Sequence, residues 1–156
     1  MVEQWEVLAT VNGDGTSTDI LTGTIDAKKF LQLQWFVEDA NGVELEFNGD
    51  TAANYSRRWS NSWGAENLNT GLSNIGIQYT TTQIHGSAYI SNISTEEKLI
   101  ESRDTERNTA GAGNVPYTFI LNAKWTNTSD SITSIRMLKG GSNFTALDNL
   151  TVFGTD

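Results

Sequence analysis

Residues 30–38, F-L-Q-L-Q-W-F-V-E, constrain the fold more than any other stretch of this chain. In an extended strand successive side chains point to opposite faces. Leu31, Leu33, Trp35 and Val37 therefore share one face, and Gln32 and Gln34 share the other with Phe30 and Phe36. Val43–Phe47, V-E-L-E-F, repeats the alternation, with Val43, Leu45 and Phe47 set against Glu44 and Glu46. Period-two alternation of this kind predicts strands buried mainly on one side. Between the two runs lies Asp39-Ala40-Asn41-Gly42, and its Asn-Gly pair is a strong hairpin signal.

The same reading extends along the chain. Strands are expected at 5–11, 20–25, 75–80, 84–93, 117–125, 132–138 and 150–153, with 132–138 as the hairpin partner of 117–125. Residues 99–106 are polar and read as an edge strand, where charges discourage pairing with other chains. Asn48-Gly49-Asp50 breaks the pattern into a turn. Asp50 there can cap a single helical turn over 51–53, before a polar, aromatic segment ending at Trp59. Residues 60–74 read as a long loop carrying Trp63 and Leu68, and 140–147 as a second loop carrying Phe144 and Leu147. No segment has a helical period. About ten short strands in one domain, residues 1–156, predict an all-β antiparallel sandwich or barrel. Leu31, Leu33, Trp35, Val37, Leu45, Phe47, Phe119, Leu121 and Trp125 are the expected core.

Composition narrows the function. The net charge of −9 argues against nucleic acid, whose phosphates call for a basic patch. With no cysteine, disulfides and thiolate metal sites are excluded. The first residues, M-V-E-Q-W-E-V, are acidic and lack the apolar run of a signal peptide. No apolar stretch is long enough to span a bilayer as a helix, so synthesis in a cytoplasm without a membrane partner is the expectation.

Catalytic candidates are few. Glu44 and Glu46, two residues apart on one strand face, stand about 7 Å apart, within the range of a glycosidase carboxylate pair. The stretch resembles in part the E-x-D-x-x-E strand of laminarinase-like glycosidases, but Glu46 holds the central position and Gly49 replaces the last Glu. Asn12-Gly13-Asp14-Gly15 with Asp19 offers oxygens to calcium, yet lacks the full loop signature and its terminal Glu. A plain hairpin turn is expected there, with no metal and no cofactor. His85, the single histidine, falls on a strand face, where a structural role is the default. Tyr55, Trp59 and Trp63 are candidates for a platform on which sugar rings stack, or for core and interface residues. Trp63, Leu68, Phe144 and Leu147 are expected as assembly contacts in loops, or as plugs folded back on the sandwich ends.

Several segments together resemble small jelly-roll virion proteins of tailed phages and related environmental viruses. They are F-N-G-D-T-A-A-N-Y-S-R-R-W at 47–59, Y-I-S-N-I at 89–93, Lys124-Trp125, S-I-T-S-I-R-M-L at 131–138 and the tail from Ser142 onward. The pattern runs from about Phe30 to the end, and Leu147-Asp148-Asn149 departs from the Gly-Ser usual before the last strand. The resemblance implies a jelly-roll β-sandwich and a non-enzymatic virion component serving as capsid decoration or as a tail or fibre part. It also implies partners among other virion proteins and copies of itself, and a location in the virion after synthesis in the host cytoplasm. The alternative is a carbohydrate-binding module or receptor-binding fibre domain that meets a host-surface glycan. A glycoside hydrolase using Glu44 and Glu46 ranks third.

Overall fold

Strands far apart in sequence pair to build this molecule. The computed structural model describes residues 4–62, 64–78 and 82–156. Among them are twelve strands: β1 (Glu6–Asn12), β2 (Asp19–Leu21), β3 (Phe30–Val37), β4 (Val43–Phe47), β5 (Tyr55–Asn61), β6 (Asn67–Leu72), β7 (Ile75–Gly76), β8 (Ile84–Ser91), β9 (Lys98–Glu106), β10 (Tyr117–Trp125), β11 (Ile135–Lys139) and β12 (Asn149–Thr155). They form an eight-stranded sheet in the order β1-β12-β3-β8-β9-β10-β5-β6 and a four-stranded sheet in the order β2-β11-β4-β7. All pairings are antiparallel.

The pairs β1 with β12, β2 with β11, β3 with β8 and β4 with β7 are nested, like one long hairpin rolled into two layers. That is the jelly-roll plan expected from the sequence. Two excursions depart from it. The segment β5–β6, between β4 and β7, and the segment β9–β10, after β8, both join the larger sheet and extend it from β8 to β6.

Rolling explains why three expected hairpins are absent. β3 and β4 lie in different sheets, so residues 39–42 form a corner between layers. Residues 12–15 turn a second such corner, from β1 to β2. β11 pairs with β2 and β4 and leaves β10 for the other layer. Turn-forming residues allow a sharp reversal in either case, and only the partner strand distinguishes the two.

The core lies between the layers. All nine expected core side chains are at most 1% exposed. Phe47, Tyr55 and Trp125 pack ring against ring, with Tyr55 and Trp125 stacked at 6.2 Å. Residues 60–74 correct the expectation of a long loop. β5 runs through to Asn61, and β6 pairs with it from Asn67. Asp50 Oδ1 accepts the Ala52 N–H at 2.9 Å, closing a bend where a helical turn was expected.

β9 also departs from expectation. It sits between β8 and β10 well inside the sheet, and four of its polar residues point inward. Lys98, Ser102, Asp104 and Glu106 are buried, while Leu99 is 59% exposed. Lys98 is satisfied by three carbonyls, those of Ser94, Glu96 and Asn127. Asp104 Oδ1 accepts the Trp35 indole N–H at 2.7 Å, and Oδ2 has no hydrogen-bond partner among the described residues. Gly86 makes room for this contact, since a Cβ there would meet both Asp104 Oδ1 and the Trp35 ring. Burial pushes the Asp104 carboxyl well above the usual range, the Trp35 hydrogen bond opposes this, and the charge of Glu106 adds to it.

A raised carboxyl pKa in the folded state stabilises the fold below the unfolded pKa. That contribution is lost as pH rises through the folded value. Asp104→Asn should therefore melt close to wild type near pH 4, in the range of an unfolded carboxylate, and increasingly above it toward neutral pH. Thermal melts of both proteins across that range check the sign. A gap that widens on acidification would refute it.

Candidate functional site

The outer face of the larger sheet carries two parallel rows of side chains. One is Gln32, Tyr89, Glu101, Asn122, Arg58 and Leu68, opposed in register across β3, β8, β9, β10, β5 and β6. The other is Phe30, Ser91, Leu99, Lys124, Ser56 and Thr70, across the same strands. Between them the backbone of Leu31, Ile90, Ile100, Ala123, Arg57 and Asn69 forms a floor, because the pleat turns those side chains to the other face. Two rows separated by two residues along a strand leave a trough about 7 Å wide. Six strands make it about 24 Å long.

Two adjoining depressions occupy this trough. The larger, about 550 Å³, is lined by Trp5, Phe30, Tyr89, Leu99, Glu101 and Asn122 among others. The smaller, about 330 Å³, is lined by Ser56, Arg58, Leu68, Thr70, Asn122 and Lys124 among others. They share Leu99, Asn122 and Ala123 and so adjoin along the trough.

Apolar side chains are left open to solvent here. Trp5 is 40% exposed, Phe30 44% and Tyr89 53%. Trp5 meets Tyr89 edge to face with ring centroids 6.4 Å apart. The Tyr89 hydroxyl accepts from Gln32 Nε2 at 3.2 Å, which fixes the ring against the sheet. At the far end the cations are already paired, Arg58 with Glu66 at 2.9 Å and Lys124 with Glu97 at 2.7 Å. The trough thus offers apolar ring faces beside amide, carboxylate, hydroxyl and guanidinium groups. A ligand with apolar faces and polar edges matches such a surface.

The residues singled out in the sequence are placed as follows. Tyr55 is a core residue, 1% exposed, whose hydroxyl accepts the Phe47 N–H at 3.1 Å and donates to the Asp50 carbonyl at 3.0 Å. It is no platform. Trp59 is half-buried, stacked on Phe119 at 5.3 Å, with its N–H on Asn69. Leu68 is exposed and ends one row of the trough. Trp63 lies outside the described residues.

Phe144 is fully buried, which corrects its reading as an assembly contact. Residues 140–147 fold back on the corner at 13–17: the Gly15 N–H donates to the Phe144 carbonyl, and the Phe144 N–H to the Ser17 carbonyl. Lys139 lies over the Phe144 ring and pairs at 3.5 Å with Asp148, both fully enclosed. Asp148, in the segment that departs from the virion-protein pattern, also accepts the N–H groups of Glu38 and Thr145. Leu147 remains 63% exposed at the tip.

Glu44 and Glu46 share the outer face of the small sheet, each with its own partner. Glu44 accepts from Asn74 at 2.7 Å, and Glu46, 5% exposed, from Arg136 at 3.2 Å. Burial raises the Glu44 pKa, Arg57 opposes that, and Glu46 adds to it. Asp14 accepts the N–H groups of Thr16 and Ser17 and the Ser17 hydroxyl, which hold its carboxyl well below the usual range. Asp19 pairs with Arg136. His85 is exposed on the outer face of β8.

Sequence reasoning missed Trp5, Phe30, Tyr89 and Leu99. A signal was present for two of them. Phe30 alternates with the outward Gln32 and Gln34, and Leu99 lies out of phase with Ile100.

No family model matches this chain, and no curated protein matches it. Among solved structures it aligns with scytalido-glutamic peptidase at 8% identity and TM-score 0.32, over 98% of this chain and 65% of the peptidase. The PL-14 alginate lyase from Aplysia kurodai aligns at 9% identity and TM-score 0.31, over 98% of this chain and 80% of the lyase. The CBM2 module of the evolved Dit of Lactobacillus casei BL23 phage J-1 aligns at 7% and TM-score 0.22, over 98% and 97%. All three scores are too low to carry a functional argument.

The contrast between trough and core gives a direct test. Tyr89→Phe should change folding stability by no more than about 0.5 kcal/mol, because the hydroxyl it removes bonds Gln32 on the exposed face. Tyr55→Phe should cost about 1 kcal/mol or more, because it leaves the Phe47 N–H and the Asp50 carbonyl without their partner. Denaturant unfolding of the two variants checks the order.

Proposed function

We propose that this chain is a non-catalytic carbohydrate-recognition domain that binds sugar in the trough across its larger sheet. One observation carries the reading: the solvent-open Trp5–Tyr89 pair, with Phe30 beside it, lines a depression that also holds Glu101 and Asn122. Sugar rings have apolar C–H faces and hydroxyl edges, so aromatic faces and polar side chains side by side recognise both. Exposed apolar residues gathered in one patch usually mark a binding site. The virion setting belongs to the same proposal. A tail, fibre or decoration component with this trough would meet a glycan on the host surface, and Leu147 at a loop tip is a candidate contact with neighbouring copies.

The test is binding of the purified protein to a glycan array, followed by Trp5→Ala and Tyr89→Ala. Each substitution should lower affinity at least about tenfold, equivalent to about 1.4 kcal/mol, with the thermal melt nearly unchanged. Array binding that survives both substitutions would place the sugar elsewhere. Sugar release from polysaccharides that is abolished by Glu44→Gln would replace the proposal with a hydrolase.

A further inference from the structure

We infer that the ligand is a neutral linear polysaccharide, bound lengthwise across the strands and touching both halves of the trough. This deepens the carbohydrate reading above and rests on it. The first argument is continuity. The two depressions meet at Leu99, Asn122 and Ala123, and the two bordering rows stay in register from β3 to β6. A site about 24 Å long exceeds what a single sugar covers. Apolar surface recurs along it, at Phe30, Tyr89 and Leu99 and again at Leu68, with Ser91, Asn122 and Ser56 between. A repeating ligand with alternating apolar and polar surface fits such a sequence.

The floor argues against an extended peptide. A peptide that adds to a sheet binds the unpaired N–H and C=O groups of an edge strand. Here the floor belongs largely to β8, β9, β10 and β5, each flanked by two hydrogen-bonded neighbours. An occupant crossing these strands is held by side chains alone.

The charges argue for a neutral chain. Arg58 and Lys124, the cations of the far half, are each held by a carboxylate. Glu101 borders the aromatic half, and the net charge of −9 repels a polyanion.

The experiment is calorimetric titration with neutral oligosaccharides from disaccharide to hexasaccharide, drawn from gluco-, manno- and xylo-series, and with alginate as the anionic probe. Affinity should rise at least about tenfold from disaccharide to hexasaccharide. The double variant Arg58→Ala/Leu68→Ala should remove that gain and leave disaccharide binding unchanged, whereas Trp5→Ala should weaken every length. Equal affinity for all lengths with the double variant silent would overturn the inference while leaving the carbohydrate reading intact. Alginate binding more tightly than every neutral series, with strong salt dependence, would overturn its neutral part. Failure of every sugar probe would sink the carbohydrate reading itself, and this inference with it.

Discussion

The corner at Asn48-Gly49-Asp50 holds the two layers to each other and to the excursions. Trp125, at the end of β10, donates its indole N–H to Asp50 Oδ2 at 2.6 Å. Asn54 Nδ2 donates to the same oxygen at 2.9 Å, and Tyr55, which begins β5, donates to the Asp50 carbonyl. Burial raises the Asp50 pKa, but the hydrogen bonds from Asn54, Trp125 and the Ala52 N–H outweigh it and hold the carboxyl below its usual range. Asn48, at φ 53°, sends its side chain the other way, to the Ser131 carbonyl and to the N–H groups of Thr133 and Ser134 just before β11. This crossing from the small sheet to the large one, residues 48–54, therefore binds β4, β5, β10 and the approach to β11. The register of β5 on β10 depends on it, and the far half of the trough is built on that register.

An eight-stranded sheet over a four-stranded one leaves part of its inner face beyond the smaller layer. Near the β7 edge of the smaller layer one side chain bridges the sheets and another packs along the larger one. Arg57 points inward from β5 and donates to the Gly76 carbonyl of β7 at 2.6 Å, and Trp59 stacks on Phe119 with its N–H on Asn69. Burial lowers the Arg57 pKa, and nearby Glu44 opposes that change. The inner face of β9 also carries polar groups. Asp104 under Trp35 is the strained member, a carboxyl enclosed with one oxygen satisfied. Such a group costs stability when ionised, which is why its protonation is coupled to folding.

Much of the fold was legible from the alternation of β3, β4 and β10, because a residue buried on one face of a strand declares itself at every second position. Leu33, Trp35 and Phe119 are core for that reason. Pairing was less legible. Asn41-Gly42 bends the chain between layers as readily as it would close a hairpin, so the sequence did not distinguish β3–β4 as a corner from β3–β4 as neighbours. β9 was misread because its inward side is polar and its outward side includes Leu99, the reverse of the usual rule. Tyr55, set amid Asn, Ser and Arg, left a sugar platform and a core or interface role both open, and the structure decides for the core: its hydroxyl closes the Asp50 corner and its ring stacks on Trp125. The trough was hidden for a simpler reason: its residues come from seven separate segments, and only the rolled topology brings Trp5 to Tyr89 and Arg58 to Asn122.

The position of the trough follows from the same topology. The nested pairs of the jelly roll use β1, β2, β3, β4, β7, β8, β11 and β12, which places four strands in each layer. The strands outside that plan, β9, β10, β5 and β6, supply the trough's middle and far end, including Glu101, Asn122, Arg58 and Leu68. Strands added to one edge of that plan widen its outer face, and their inward side chains, among them Tyr55, Phe119 and Trp125, join the core. They also put long side chains such as Arg58 and Lys124 beside short ones such as Ser56, and that difference in length, on a regular pleat, is what makes a depression. The excursions therefore supply most of the outer surface that forms the trough, while the nested strands and the Asp50 corner hold the layers beneath it.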